Sequence, residues 1–168
     1  MCNQVNPLPM PNIKFDSVDR NIIQVLQQEG RIANKELSER IGLTTTPTLE
    51  RVRRLEREGI IEGYAAKVNK ESVGRGFVAF VKVTLKVHQL NLLEEFTSAI
   101  REIPEILACY HTTGDGDFLL QVVAKNTKDY EQLMRNKLTT LPDVERLHTS
   151  IVLNTIKEQS PIPVYYED

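Results

Sequence analysis

Nowhere in the 168 residues do about 18 apolar side chains run together, so no membrane-spanning helix is expected. The opening stretch, MCNQVNPLPMPN, has neither the basic n-region nor the apolar h-region of a secretory signal, and a cytoplasmic location is the expectation. Cysteine is scarce. Cys2 and Cys109 stand far apart with no CxxC or Cys/His spacing, which argues against a disulfide framework and against a zinc site. Cys109 lies in an apolar run, where a buried thiol is expected. Serine, threonine and tyrosine occur without a partnered base, so no nucleophilic triad can be assembled. His88 and His148 are each isolated on or near a strand and read as structural histidines rather than ligands. No catalytic residue, metal or cofactor is therefore expected, and the chain is read as a non-enzyme.

Net charge is also low, at -2, but it is unevenly placed. Residues 1–75 carry 12 Lys/Arg against 10 Asp/Glu, and residues 76–168 carry 9 against 13. The first part is thus the one suited to meet an anion.

Residues 1–14 are polar, proline-rich and aperiodic, and read as a flexible arm. From Phe15 the pattern is helical. Asp16 can cap a helix that carries Val18, Ile22, Ile23 and Leu26 until Gly30. Asn34 can cap a short second helix with Leu37 and Ile41 on one face, ended by Gly42. A third helix follows in TTTPTLERVRRLEREG, with Pro47 in its first turn. The simplest geometry places Thr46 at the cap, and Leu49, Val52 and Leu55 then form the packing stripe. IIEGYAAKV, residues 60–68, reads as two very short strands around Gly63.

Beyond NKESVGRG the period changes to two. Phe77, Ala79, Val81, Val83, Leu85 and Val87 share one face of a long strand. A helix with Leu92, Leu93, Phe96, Ile100 and Ile103 comes next, then strands near 106–113 and 118–125 joined by GDGD. A helix with Tyr130, Leu133, Met134, Leu138 and Leu141 and a last strand, RLHTSIVLNTIK, complete the chain. The order βαββαβ is the ferredoxin-like arrangement of the α+β class. The domains expected are the arm at 1–14, a winged helix-turn-helix unit at 15–76, the βαββαβ unit at 77–160 and a tail at 161–168. Val78, Phe80, Leu119, Val123, Val152 and Ile156 alternate away from the helix-covered side. An apolar second face favours a homodimer that packs sheet on sheet, the alternative being the tail, SPIPVYYED, folded back over it.

Three short helices followed by a hairpin match the winged helix-turn-helix plan, in which the third helix enters a DNA groove. Its N-terminus offers free N–H groups to a phosphate. The candidate DNA contacts are Thr44, Thr45, Thr46, Thr48, Glu50, Arg51, Arg53 and Arg54, with Arg51 and Arg54 able to reach phosphates or guanine edges. The plainer alternative is a solvated face laced by i,i+4 pairs such as Glu50 with Arg54 and Arg53 with Arg57. In HTTGDGDFLL, Asp115 and Asp117 between Gly114 and Gly116 read as a strand-connecting turn, a ligand clamp, a metal site or a carboxylate pair. A metal lacks further oxygen ligands here, and catalysis lacks a second converging group.

Read together, DSVDRNIIQVLQQEGRIANKELSERIGL, TTTPTLERVRRLEREGIIEGYAA and TTGDGDFLLQV resemble the Lrp/AsnC family of feast/famine transcriptional regulators, from about Phe15 to about Ser160. The resemblance implies an N-terminal DNA-binding domain, a βαββαβ effector-sensing domain, sheet-mediated dimers and often an octamer. It places a small amino acid between dimers at His111, Thr112, Thr113, Gly114, Asp115, Gly116 and Asp117, with Thr127, Thr139, Ser150, Ile151 and Val152 at positions linked to effector response. A zwitterion suits such a loop, since its ammonium meets Asp and its carboxylate meets backbone N–H groups. The partners implied are double-stranded DNA, an amino acid and further copies of the chain. Two rival readings remain open: an amino-acid-binding metabolic enzyme or enzyme subunit built on the ferredoxin-like domain, and an RNA binder on its sheet. The second lacks the paired aromatic and basic residues of RNA-binding sheets.

Overall fold

The computed structural model describes residues 16–86, 90–158 and 160–164. The expected arm, Phe15, Cys2, Val87 and His88 lie outside the described residues. The described residues divide into two units, one within 68–156 and one of residues 16–67 together with those from 157 to 164. Residues 157–164 thus group with the helices.

The helical unit contains α1 (Ser17–Gln28), α2 (Asn34–Ile41) and α3 (Thr45–Arg57). Helix α1 opens with a reciprocal capping box: the Asp19 N–H donates to the Asp16 carboxylate at 2.8 Å and the Asp16 N–H donates to that of Asp19 at 3.3 Å. Asn34 does not cap α2. It is the first helical residue, Ala33 holds the cap position without a side-chain bond, and Asn34 Nδ2 donates to the Thr45 carbonyl at 3.0 Å, tying the start of α2 to the start of α3. Gly42, at φ 73°, ends α2 in the left-handed region that a side chain would resist.

Helix α3 begins earlier than its proline suggests, with Thr44 at the cap and Pro47 at the third helical position. A proline is tolerated there because the first turn's N–H groups have no helical acceptor in any case. The packing stripe also differs from the one expected. Thr48, Val52 and Leu55 are buried while Leu49 is 36% exposed. The core of this unit joins Ile22, Ile23, Leu37, Val52 and Leu55. No strand forms at residues 60–68; the N–H groups of Ile60 and Ile61 turn back to the Leu55 carbonyl at 2.9 and 3.1 Å instead. Alternation alone cannot make a hairpin where the chain supplies no neighbouring ladder.

The second unit is a four-stranded antiparallel sheet in the order β2-β3-β1-β4, with β1 (Phe77–Leu85), β2 (Ile106–His111), β3 (Phe118–Ala124) and β4 (Val144–Ile151). Helix α4 (Leu90–Arg101) and α5 (Thr127–Leu133), the latter continued by a π-helical turn at Met134–Leu138, bring their apolar residues to one core. Ala79, Val81, Val83 and Leu85 of β1 and Phe118, Leu120 and Val122 of β3 meet Phe96, Ile100, Tyr130, Leu133 and Leu138 there. The side chain of Leu92 lies outside the described residues.

Pairing of Phe80 with Ser150 and of Lys82 with His148 and Leu119 puts all five on the opposite, open face. That face is less wet than its sequence implies, since Val78 and Val123 are only 9% and 5% exposed. Val123 shares a cleft of about 350 Å³ with Val68, Val73 and Leu107. Strand β4 ends at Ile151, and Ile156, beyond it, is 89% exposed. Val164 of the tail packs against the helical core, and residues 165–168 lie outside the described residues. Cys109 is exposed rather than buried, sitting on the edge strand β2, although partial burial still raises its thiol pKa.

Candidate nucleic-acid interface and effector loop

Helix α3 sorts its arginines into two sets. Asp19, 1% exposed, faces it from α1. Arg51 Nη1 donates to Asp19 Oδ1 at 2.9 Å and to Asp16 Oδ2 at 2.5 Å, and Arg54 Nη2 donates to Asp19 Oδ2 at 2.5 Å. A buried carboxylate needs such charge-assisted donors to offset its desolvation. Arg51 and Arg54 thus bind α3 to α1, and the contacts seen here are internal. Thr48 is likewise committed inward: it is fully buried, and its hydroxyl donates to the Thr44 carbonyl at 2.9 Å.

What remains on the outside is a coherent stripe. Thr46, Leu49, Glu50, Arg53 and Arg57 recur at helical spacing and are all exposed, and Thr44 and Thr45 are exposed at the helix start. Of the eight candidate residues, five (Thr44, Thr45, Thr46, Glu50 and Arg53) share this surface, and three (Thr48, Arg51 and Arg54) point or pair inward. Leu49 and Arg57 join the stripe.

The loop between β2 and β3 is built around Asp117. Its carboxylate accepts the Leu85 N–H at 2.8 Å, its own N–H donates to the Val83 carbonyl at 2.9 Å, and its carbonyl accepts the Thr112 N–H at 2.9 Å. These bonds fix the loop to the end of β1. Asp115, by contrast, projects: its side chain is 85% exposed, and Lys82 Nζ donates to it at 2.8 Å. That hydrogen bond and charge hold the Asp115 carboxyl below the usual carboxylate range. The Lys82 stem runs directly over Gly116, where a Cβ would lie 2.5 Å from Lys82 Cγ. Lys82, Thr84, Asp115, Arg146 and His148 line a cleft of about 240 Å³ on the open sheet face, where the Asp115 carboxylate sits beside Lys82.

Comparison with known proteins agrees with both units. Residues 78–162 match the family model of the Lrp/AsnC ligand binding domain, and residues 15–62 match that of a winged helix-turn-helix DNA-binding domain. The chain belongs to the Lrp/AsnC family. The leucine-responsive regulatory protein of Klebsiella pneumoniae is 39% identical over 154 residues, covering 92% of this chain and 94% of that one. That of Escherichia coli K12 is 38% identical over the same length. A transcriptional regulator of Neisseria meningitidis, solved as a complex with L-Met, superposes with a TM-score of 0.86 at 36% identity, covering 89% of this chain and 97% of that one. This Lrp/AsnC chain is therefore a DNA-binding transcriptional regulator with a ligand-binding domain, and no helix among the described residues is long and apolar enough to cross a membrane.

Within one copy of the chain the family-implied effector positions do not converge. Residues 112–117 cluster at the end of β1. His111 instead stacks on Phe118, with ring centroids 4.8 Å apart, on the helix-covered side of the edge strand. Thr127 begins α5, and Thr139 follows its π-helical end, roughly 18 Å away at 1.5 Å per residue. Ser150 and Ile151 pair with Phe80 and Ala79, about four strand residues, or about 13 Å, from the loop's anchor at Val83. Lys82, Thr84 and Arg146, which line the loop's cleft, were not singled out by sequence. Outward alternation on β1 and β4 marks them once those strands are known to be neighbours.

The Asp19 network makes a stability prediction. Asp19→Ala should lower the unfolding free energy of the helical unit by about 3 kcal/mol in urea, the low end for breaking a buried pair, because both arginines are partly exposed and can rehydrate. A change within about 0.5 kcal/mol, typical of a neutral surface site, would show that the carboxylate does not hold α3. The Asp16 carboxyl is pushed up by burial but held lower overall by the Asp19 N–H and Arg51. Its folded pKa lies below the unfolded one, so its contribution is present at neutral pH and is lost as acid titrates it through that lowered value.

Proposed function

We propose that the outward stripe of α3, with Thr44, Thr45, Thr46, Leu49, Glu50 and Arg53 at its centre and Arg57 at its end, enters a DNA major groove, and that Arg51 and Arg54 position the helix instead of reading bases. The observation that carries this is the sorting by Asp19. Arg53 and Arg57 are the guanidiniums of α3 that are fully outside and without an ion pair among the described residues, whereas Arg51 and Arg54 are engaged. Leu49 supplies an apolar contact suited to a thymine methyl, and Arg53 one suited to a phosphate or a guanine edge. The helix start, with its free N–H groups, lies against the phosphate backbone.

Regulation is assigned to a small amino acid held at residues 112–117. Asp115 and the turn amides meet its ammonium and carboxylate, while Asp117 keeps the loop in place. Support comes from the ligand-binding family of the domain and from the Neisseria relative's L-Met complex. The separation of Thr127, Thr139 and Ser150–Val152 from that loop within one copy favours a site completed by a second copy. Pairing of the open sheet faces, where Phe80 and Leu119 sit beside half-exposed Leu107 and Tyr110, would form a dimer with two α3 helices spaced for successive grooves, about 34 Å apart. Dimers would then join into a larger ring, an octamer in this reading, with the effector between them.

Arg53→Ala should weaken operator binding by about 1–3 kcal/mol if a base contact is lost, and should leave thermal stability unchanged. Equal affinity in a gel-shift titration would remove Arg53 from the interface. Asp115→Ala should lower amino-acid affinity by about tenfold or more, in line with the loss of one charge-assisted bond, while binding to DNA without effector is retained. Calorimetry giving the same affinity as the parent would displace the effector from this loop.

A further inference from the structure

The last described residues form a local structure set by their prolines. In Pro161-Ile162-Pro163-Val164 neither proline has an N–H, and Pro163 restricts Ile162 to extended or polyproline II backbone. Ile162 therefore offers the one backbone donor between the two rings. The Gln27 side chain of α1 takes both polar groups of that residue: the Ile162 N–H donates to Gln27 Oε1 at 2.6 Å, and Gln27 Nε2 donates to the Ile162 carbonyl at 3.0 Å. Beside this pair lies an apolar groove of about 420 Å³, walled on one side by Ile23, Leu26, Ile60 and Tyr64 and on the other by Ile162 and Val164 themselves. Val164 packs, partly buried, against the same core.

Tyr64 is a fixed wall of that groove. Its hydroxyl donates to Glu56 at 3.0 Å, and its ring lies over Gly30, where a Cβ would come within 3.2 Å of Tyr64 Cδ1. Burial, with Glu56 beside it, pushes the phenol pKa up to about 12. A proline segment that is already extended, and whose backbone is read by one side-chain amide, docks at little entropic cost.

We propose that this face of the helical unit is a docking site for the chain's own Ser160–Val164, which is held through the Gln27–Ile162 pair and Val164 and forms one wall of the groove, and that this strap completes the helical unit. Docked, it clamps α1 to residues 60–64; released, it opens both. The helical unit is joined to residues 68–156 at Lys67 and again at Lys157, so the strap is a second covalent connection from the ligand-binding unit, entering after β4. Its use in relaying ligand state to α3 rests on the regulator reading above, but docking itself does not.

Hydrogen exchange on the full protein, without DNA or amino acid, separates the two. In the parent, the Ile162 amide and peptides covering α1 and residues 60–64 should be protected. In Gln27→Leu and in a chain ended at Glu158, exchange of α1 and 60–64 should rise by about tenfold, with β3 unchanged. Unaltered exchange of α1 in both variants would overturn the strap. If the shortened chain also loses protection in β3, Gln27→Leu alone decides. Protection that fades on dilution of the parent would mean the segment docks onto another copy, which would overturn the assignment to its own chain.

Discussion

A buried carboxylate between two guanidiniums determines what α3 can present. Asp19 is placed by α1, whose capping box sets its backbone, and it is inaccessible to water. A buried carboxylate in that position demands donors from the facing helix, and Arg51 and Arg54, three residues apart, supply them from one side of α3. Rotation of α3 about its axis would break both bonds at once. The helix is thereby held with Thr48, Val52 and Leu55 inward, and Thr46, Leu49, Glu50 and Arg53 necessarily outward. Density of arginine along a segment is therefore a poor guide to which arginines meet a ligand, since part of the cluster neutralises the protein's own interior.

The ligand-binding unit repeats this division of labour with carboxylates. Asp117 is spent on the Leu85 and Val83 backbone and makes the loop rigid, while Asp115, two residues away, projects beside Lys82 and the cleft. In both units an inward acid fixes an element, and a neighbouring charged side chain on the same element stays exposed. Rigid anchoring keeps the exposed group in one geometry, which is what recognition of a groove or a zwitterion requires.

Much of this was legible in the sequence, and the parts that were not share a cause. Period-two alternation from Phe77 to Leu85 identified β1 and its core face because side-chain direction in a strand is local. Helix α1 announced itself through Asp16 and Asp19. The phase of α3 did not, because Thr48 and Leu49 flank the Val52 and Leu55 stripe on either side and local sequence favours the apolar one, whereas Thr48 is the one buried. The choice is made by Asp19, more than thirty residues away. The expected hairpin at 60–68 failed for a related reason: a short alternating run becomes a strand only when a neighbour accepts its hydrogen bonds. Gln27 gave no sign of its pairing with Ile162, a contact 135 residues distant. Short-range chemistry was readable, whereas contacts between remote segments needed coordinates.

The central claim, that Asp19 divides the arginines of α3 into positioning and contacting sets, is tested most directly by NMR titration of the arginine side chains with operator duplex. The account predicts that the Arg53 and Arg57 guanidinium signals shift and broaden with added DNA, while those of Arg51 and Arg54 keep their positions and their slow exchange with water. Release of Arg51 and Arg54 from Asp19 on binding, with Arg53 and Arg57 unmoved, would contradict it.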